Sequence, residues 1–328
     1  MATIQDVAKR AGLSRTTVSR VINEHPYVTE EKKRLVTRAM QELNYVPNSS
    51  ARRLRRQQTE TIAVYVPRIT NPFFSHLVEV MGKEAAKKGY QLILCQTRYK
   101  KEHERSFLEL LKTKQVDGLI LTSIENDWSK LEPYLSFGPI VVCNEYSDSA
   151  QVPSVYLNQI EGSYLGTKHL IDQGYTKIGY CTGNHKSSRV SKDRKIGFLK
   201  ALSDAGIPMK EEWFFYNAYS VQDGFAAFKE LKKLDDPPQA VFTGSDEVAA
   251  GIAKAAFDAG WRVPEDLAII GFDNQPLAEL MDLTTIEQPI DTIARQAMKL
   301  MVEAIHAKKP LKRKEVILPF QLIKRSST

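Results

Sequence analysis

Two patterns of apolar residues divide the chain near residue 60. Before this point, apolar positions recur at helical spacing in short segments, and after it, short apolar runs rich in Val and Ile alternate with amphipathic stretches. Such alternation is typical of strand–helix units that build parallel, doubly wound sheets. The runs predicted to be strands are IAVYVP, QLILCQT, DGLILTS, PIVVCNE, KIGYCTG, WFFYN, QAVFTGSD and LAIIGFDN.

The larger part of the chain contains two successive strand–helix alternations. One extends from about residue 61 to 158 and the other from about 159 to 287, followed by the helix TIARQAMKLMVEAIHA and the strand EVILPFQLI. The total of 328 residues exceeds the ~250–300 at which single cores stop growing. We therefore expect a two-lobed α/β unit preceded by a small helical one.

The small helical unit has the pattern of a helix–turn–helix. Gly12 ends a first helix because glycine tolerates the left-handed cap conformation, and Ser14 caps a second helix that runs roughly from Arg15 to Asn23. Thr29, followed by two glutamates, is expected to cap a third helix. The buried face of the first helix is Ile4, Val7, Ala8 and Ala11.

The positive charge of the chain is concentrated in this N-terminal part. Residues 1–60 hold 12 Lys and Arg against 6 Asp and Glu, whereas the net charge of the whole chain is +7. A basic, hydroxyl-rich second helix suits reading of the DNA major groove, where Arg bonds guanine and Thr bonds base edges. A solvated basic surface on an ordinary helical bundle is the alternative.

The segment NSSARRLRRQQTE, residues 48–60, places one leucine among four arginines. Asn48 can cap a short helix over residues 49–56, whose only apolar face is Ala51 and Leu54. A helix this short and charged is marginal in water, but a second copy of the chain and DNA phosphates would stabilise it. Leu54 would then be free to wedge between base pairs in the minor groove. A flexible basic linker is the alternative.

The run TIQDVAKRAGLSRTTVSRVIN, followed by LNYVPN, resembles the LacI/GalR family of bacterial transcription regulators. The resemblance implies a homodimer that binds a palindromic operator in double-stranded DNA, needs no cofactor, and responds to a small sugar or sugar derivative. It also implies a three-helix DNA-binding domain at 1–46, a hinge helix and linker at 47–60, and a periplasmic-binding-protein-like core at 61–328, with an N-lobe at about 61–158 and 290–320 and a C-lobe at about 159–287.

The resemblance also implies roles for individual residues. Those matching Arg15, Thr16 and Arg20 reach base edges or nearby phosphates, and those matching Thr17 and Ser19 more often contact the DNA backbone. The complete set expected to contact DNA is Thr3, Ser14, Arg15, Thr16, Thr17, Ser19, Arg20, Asn23, Tyr45, Asn48, Ala51, Leu54 and Arg55.

An effector site is expected where strands end, because ligands of doubly wound sheets bind outside the carboxyl ends of the strands. The resemblance implies Phe73 and Phe74 as apolar walls, Asn144 as a polar contact, Arg194 as a charged clamp, Tyr219 as a lining residue and Asp273 as an acceptor. Other interpretations stay open: Phe73 belongs to the core, or Arg194 and Asp273 form a structural ion pair. Asp246 is interpreted as a helix N-cap rather than a ligand contact.

Sequence motifs typical of several other classes of protein are absent. The chain has no G-x-x-x-x-G-K-[ST], H-E-x-x-H or G-x-S-x-G motif, and its histidines show no metal-ligand spacing, so neither an enzyme nor a metal site is expected. Cys95, Cys143 and Cys181 lie in separate apolar runs, which predicts buried free thiols. No apolar signal region or membrane-spanning run is present, which favours a cytoplasmic regulator over an exported solute-binding protein. An architectural DNA-binding protein and a regulator controlled by a partner protein remain as alternatives.

Overall fold

The computed structural model describes residues 2–23, 25–46, 58–184, 188–307 and 311–328. The chain divides into two compact units, Met1–Gln58 and Thr59–Thr328.

The N-terminal unit contains three helices, α1 (Ile4–Ala11), α2 (Arg15–Ile22) and α3 (Glu30–Glu42). A capping box starts α1, in which Thr3 and Asp6 each bond the other's backbone N–H, and Gly12 at φ 65° ends it. Thr29 occupies the N-cap position of α3 in extended conformation, as expected, although its hydroxyl makes no capping hydrogen bond. The buried core of the unit is Val7, Ala8, Val18, Val36 and Ala39.

The larger unit is built on two six-stranded sheets. Its strands are β1 (Thr61–Val66), β2 (Gln91–Gln96), β3 (Gly118–Leu121), β4 (Ile140–Cys143), β5 (Ser154–Leu157), β6 (Ile178–Cys181), β7 (Phe214–Phe215), β8 (Ala240–Thr243), β9 (Ala268–Asp273), β10 (Thr284–Glu287), β11 (Glu315–Leu318) and β12 (Gln321–Ile323). Its helices are α4 (Pro72–Lys87), α5 (Lys101–Lys112), α6 (Trp128–Leu131), α7 (Gln159–Asp172), α8 (Arg189–Asp204), α9 (Val221–Leu231), α10 (Asp246–Asp258), α11 (Pro276–Leu280) and α12 (Ile290–His306), with 3-10 turns at Glu132–Ser136 and Glu211–Trp213.

The first sheet has the order β11-β5-β4-β3-β1-β2 and the second the order β12-β10-β9-β8-β6-β7. All pairings are parallel except β10 with β12, which are antiparallel. The α/β fold with two doubly wound sheets agrees with the sequence analysis. Two strands were missed, because SVYL in β5 and TTIE in β10 are short and carry polar residues.

The C-terminal tail joins both sheets, which corrects the expectation of one strand returning to the first lobe. Val316 of β11 pairs with Val155 in the first sheet, whereas Leu322 of β12 pairs with Ile286 in the second. Pro319 stands between the two strands, and proline lacks the N–H that a continuous ladder would need.

Helices cover both faces of each sheet. In the first lobe, α4 and α12 pack on one face and α5 and α6 on the other. In the second lobe, α7 and α8 pack on one face and α9 and α10 on the other. Burial on both faces explains why central strands such as β1, β3, β4 and β8 are continuous apolar runs rather than alternating ones. The three cysteines are buried and free, as predicted.

None of the helices in the described part of the chain combines the length and the apolar character needed to cross a bilayer.

Candidate nucleic-acid interface and effector cleft

The second helix of the N-terminal unit presents a polar face to solvent. Arg15, Thr16 and Arg20 are exposed. The Ser14 hydroxyl accepts a hydrogen bond from the Thr17 backbone N–H at 3.1 Å and lies 2.9 Å from the Thr17 hydroxyl. Ser14 and Thr17 therefore fix the start of α2, and the exposed residues between and beyond them are left available for a partner.

Other residues expected to contact DNA have structural contacts within the N-terminal unit. The Asn23 side chain donates to the Ser19 carbonyl at 2.6 Å, which holds the end of α2. The Thr3 hydroxyl donates to Asp6 at 2.8 Å at the start of α1. Tyr45 packs against the small core. Four more of the expected contacts, Asn48, Ala51, Leu54 and Arg55, lie outside the described residues.

A cavity lies between the two lobes, at the carboxyl ends of both sheets. The six residues expected to contact an effector, Phe73, Phe74, Asn144, Arg194, Tyr219 and Asp273, all line it. Other lining residues follow strands in the same way and include Tyr99, Ser123, Glu145, Thr182, Ser245 and Gln288. These residues lie together because, in each sheet, the parallel strands all have their carboxyl ends at the same edge.

Arg194 and Asp273 are both buried on the C-lobe side of this cavity. The Arg194 guanidinium donates to the Gly244 carbonyl at 2.7 Å and to the Gln159 side chain at 2.8 Å. Its Nη2 lies 3.9 Å from Asp273 Oδ1, so the two charges attract without a close hydrogen bond. Burial raises the pKa of Asp273 to about 6, although the positive charge of Arg194 opposes the shift.

The backbone at two strand ends adopts a conformation that non-glycine residues rarely take. Asn144 has φ 70° and Asp273 has φ 101°. The Asn144 amide donates a long hydrogen bond, 3.4 Å, to the Thr122 carbonyl. Its Oδ1 is buried and has no hydrogen-bond partner among the described residues. Strained residues of this kind cluster at ligand sites.

Phe73 and Phe74 have two roles, so the two interpretations of Phe73 are compatible. Both begin α4 and belong to the N-lobe core, and both also line the cavity. Their rings meet edge to face, with centroids 5.1 Å apart and planes at 86°. They form an apolar wall on the N-lobe side of the cavity.

Aromatic and polar contacts join the lobes across the cleft. The ring of Tyr219 stacks on Tyr99 of the N-lobe with centroids 5.1 Å apart, and its hydroxyl accepts from Asn184 N at 2.7 Å. Arg68 donates to the Tyr219 carbonyl at 3.0 Å. Arg189 lies 4.4 Å above the Tyr146 ring. The lobes are therefore in contact around the cavity.

Asp246 is not the N-cap that the sequence suggested. Ser245 occupies the cap position and accepts from Val248 N at 3.4 Å. The buried Asp246 carboxylate instead accepts from the Thr285 hydroxyl and from Gln275 N, each at 2.7 Å. Its burial raises its pKa to about 8. Asp246 therefore links the end of β8 to β10 and to the loop after β9.

Glu145 was missed by the sequence analysis, although it directly follows Asn144 at the end of an apolar run. Its Oε2 accepts from Ile124 N at 2.9 Å, and Oε1 lies 3.4 Å from the Ser188 hydroxyl of the other lobe. Burial raises its pKa to about 8. Within the described ranges, no group of three His, Cys, Asp or Glu side chains is arranged to hold a metal ion.

Two family models match the chain. Residues 3–48 match "Bacterial regulatory proteins, lacI family", and residues 59–326 match "Periplasmic binding proteins and sugar binding domain of LacI family". Each match lies within one of the two compact units of the chain.

Similar proteins extend over the whole chain. The NTD biosynthesis operon regulator NtdR of Bacillus subtilis is 44% identical over 100% of both chains. The HTH-type transcriptional repressor PurR of Mannheimia succiniciproducens is 37% identical over 100% of this chain and 98% of its own.

Among solved structures, the lac repressor dimer bound to operator and the anti-inducer ONPF matches with a TM-score of 0.86 at 25% identity, over 99% of this chain and 98% of that one. The complex of the transcriptional regulator CelR with cellobiose matches with a TM-score of 0.74 at 29% identity, over the full length of both. The chain is a member of the LacI family of bacterial transcription regulators.

Proposed function

We propose that this regulator binds a palindromic operator as a homodimer, and that a small sugar-like metabolite in the interlobe cleft changes its affinity for that operator. The proposal depends on the presence of two features in one chain. One is an exposed basic helix, α2, and the other is a cavity lined by residues at the strand ends of two sheets. A repressor is the favoured sign of regulation, since the PurR relatives are named repressors. Enzymatic activity is not part of the proposal.

The residues proposed to contact DNA differ in their contacts within the N-terminal unit. Arg15, Thr16 and Arg20 are exposed and suit direct contact with base edges or adjacent phosphates. Ser14 and Thr17 already hold the start of α2, which suits them to orient the helix and touch the DNA backbone. Thr3, Ser19, Asn23 and Tyr45 complete the proposed surface.

The hinge proposal rests on the sequence, because Asn48, Ala51, Leu54 and Arg55 lie outside the described residues. We propose that Leu54 wedges into the minor groove of the operator and kinks it. A Leu54→Ala variant should bend the operator less and bind it more weakly. Unchanged bending and affinity would contradict the wedge.

In the cleft, an aromatic wall, an arginine fork and a carboxylate together suit a small polyhydroxylated ligand. Phe73 and Phe74 would form the wall, Tyr219 would cover the ligand, and Arg194 and Asp273 would bond its hydroxyls. The CelR–cellobiose structure is an example of a regulator of the same fold with a sugar bound.

Two other functions use the same DNA-binding unit: an architectural protein without an effector, and a regulator controlled by a partner protein. The cavity favours a small ligand over both, because buried polar groups converge on it from both lobes. An Asp273→Asn variant separates the cases, since only the small-ligand model predicts that it loses the effector response while retaining operator binding.

The function is tested by selecting operators from a random DNA pool and repeating the selection with a panel of metabolites. We expect a palindromic site, an affinity change with at least one metabolite, and a salt slope of roughly −0.9 per phosphate neutralised. A flat salt dependence would contradict sequence-specific DNA binding by the basic unit.

A further inference from the structure

One side of the cleft carries acidic residues, and one of them, Glu145, has only one close protein donor among the described residues. Glu145 lines the cavity from the end of β4. One of its oxygens is held by Ile124 N at 2.9 Å, but the other has only the 3.4 Å contact with the Ser188 hydroxyl, which belongs to the opposite lobe. A carboxylate can accept about four hydrogen bonds. Glu145 therefore keeps acceptor capacity at the surface of the cavity.

Two more acids, Glu104 and Glu125, are close enough to Glu145 to act on it electrostatically. The Glu104 carboxylate accepts from Glu125 N at 3.0 Å and Asn126 N at 2.8 Å, so it is satisfied by the loop after β3. Burial, and repulsion from Glu104, raise the pKa of Glu125 to about 7. Both acids also raise the pKa of Glu145.

An independent feature of the same wall points to a ligand that donates hydrogen bonds. Asn144, 7% exposed, precedes Glu145 and lines the cavity. Its Nδ2 is directed to the Thr122 carbonyl, and this orientation leaves Oδ1 as a buried acceptor without a partner among the described residues. Leaving a buried acceptor unpaired is unfavourable, because its lost hydration is not replaced, so such an acceptor normally meets a donor.

Within the part of the chain that the structure describes, the basic residues around the cleft do not supply that donor. Arg194 is the only Lys or Arg among the described lining residues, and it is engaged by the Gly244 carbonyl, by Gln159 and by the ring of Phe272. Arg68 bonds the Tyr219 carbonyl and Arg189 bonds Asp148 and the Tyr146 hydroxyl. As far as the described residues extend, the acceptors at Asn144 and Glu145 are thus left for a ligand.

We propose that the effector is a small hydroxylated primary amine, such as a sugar in which an amino group replaces a hydroxyl, and that its ammonium group binds between Glu145 and Asn144 Oδ1. The proposal rests on the cleft being the effector site and specifies the charge of the effector. Hydroxyls on the opposite side of the ligand then face Arg194 and Asp273. An ammonium has three N–H donors, which match the two oxygens of Glu145 and the one of Asn144.

Binding of such a cation is coupled to the release of a proton. Burial, with repulsion from Glu125 and Glu104, raises the pKa of Glu145 to about 8, and a bound ammonium favours the ionised carboxylate, so binding releases protons to the buffer. The groups that face Glu145 or act on its acidic neighbours are Glu104, Glu125, Lys101, Tyr99 and Tyr219. Of these, only Lys101 is cationic, and it acts on Glu104 and Glu125.

The test compares amines with neutral counterparts of the same shape, using the full-length protein and isothermal titration calorimetry. The pairs are tris with pentaerythritol, glucosamine with glucose, and galactosamine with galactose. In the pair whose amine binds most tightly, that amine should bind about tenfold or more tightly than its neutral counterpart. This difference is expected for hydrogen bonds to a charged group. Binding of the amine should also release protons, seen as a heat that changes with the ionisation enthalpy of the buffer.

The variants are Glu145→Gln, which keeps an acceptor for Ile124 N without the charge, and Glu102→Gln, an exposed control on the neighbouring α5. Glu145→Gln should abolish both the preference for amines and the proton release, and Glu102→Gln should change neither. Equal binding of amines and neutral counterparts by the wild type, or no amine binding at all, would overturn the proposal. A neutral sugar that shifts operator affinity equally in the wild type and Glu145→Gln would also overturn it, while leaving the effector-controlled regulator standing.

Discussion

The guanidinium carbon of Arg194 lies 3.5 Å from the centroid of the Phe272 ring, so the arginine packs against the face of a core aromatic of the C-lobe. The contact with the ring and the hydrogen bonds to the Gly244 carbonyl and Gln159 together hold the guanidinium in place. An arginine that is buried, stacked and doubly hydrogen-bonded has little freedom. It is therefore a prearranged donor for a ligand.

An Arg194→Met variant should lose the effector response and retain operator binding in the absence of effector. Methionine keeps much of the length and the packing on Phe272 but donates no hydrogen bond. The free energy of unfolding should also fall by about 1.5–3 kcal/mol, because two buried acceptors lose a charged donor. Operator titrations with and without effector, together with urea unfolding, measure both effects.

Lys192→Met is the matched control for Arg194→Met, since Lys192 is an exposed residue of the same helix. It should change neither the effector response nor the stability beyond about 0.5 kcal/mol. A full effector response in Arg194→Met would remove the arginine from the proposed site.

The stack of Tyr219 on Tyr99 should help to keep the lobes closed over an effector. Tyr219→Ala removes both the stack and the hydroxyl that Asn184 N bonds, whereas Tyr219→Phe removes only the hydroxyl. A double-mutant cycle of Tyr219→Ala with Tyr99→Ala should give a coupling of ~0.5–1.5 kcal/mol in effector binding. Faster effector dissociation, followed by stopped-flow, should accompany it. Additive effects of the two substitutions would show that the stack does not contribute.

The parts of the fold that the sequence predicts well are those set by local interactions. Gly12 and Ser14 place the boundary between α1 and α2 because a left-handed cap and an N-cap each need only a few neighbouring residues. The main strands were recognised because burial on both faces makes them uniformly apolar. The short strands β5 and β10 depend on partners distant in sequence and gave no comparable signal.

The cleft was predicted only in part, because its remaining residues are brought in by tertiary packing. Tyr99 lines it as a result of pairing between β1 and β2, which places the end of β2 beside the cavity. Asp246 was misinterpreted because serine and aspartate both serve as caps, and only the contact with Thr285 shows where its carboxylate is needed. Glu145 had a usable signal, its position at a strand end, but its burial is a tertiary property.

Within the DNA-binding unit, substitutions should separate stability from DNA contact. Ser14→Ala removes the acceptor for Thr17 N and should lower the stability of this unit by ~1 kcal/mol, as for other N-cap losses. Thr16→Ala removes an exposed hydroxyl and should leave stability within about 0.5 kcal/mol while weakening operator binding. Amide exchange in α2 and operator titration at one salt concentration measure the two properties. If Thr16→Ala lost stability and kept its affinity for DNA, Thr16 would have a structural role and would not contact DNA.

The stability of the larger unit should fall as the pH rises from 6 to 9. Burial raises the pKa of Asp246 to about 8, while the ordinary value is 3.8. Between these values the folded chain holds a proton that the unfolded chain has lost, so raising the pH favours unfolding. Glu145 contributes in the same direction, since its pKa is also raised, to about 8. A loss of about 1–3 kcal/mol is expected for each of the two groups, mostly below pH 8, since one pKa unit corresponds to ~1.4 kcal/mol.

An Asp246→Asn variant tests the origin of that pH dependence. Its amide oxygen can still accept from Gln275 N, but the group no longer titrates, so the slope of unfolding free energy against pH should be shallower than in the wild type. Asp235→Asn, at an exposed position, is the control and should leave the slope unchanged. Guanidinium unfolding at pH 6, 7, 8 and 9 supplies the four points for each protein. A wild-type stability that stays level or rises over this range would mean that Asp246 is ionised in the folded chain and that its two donors outweigh the cost of burial.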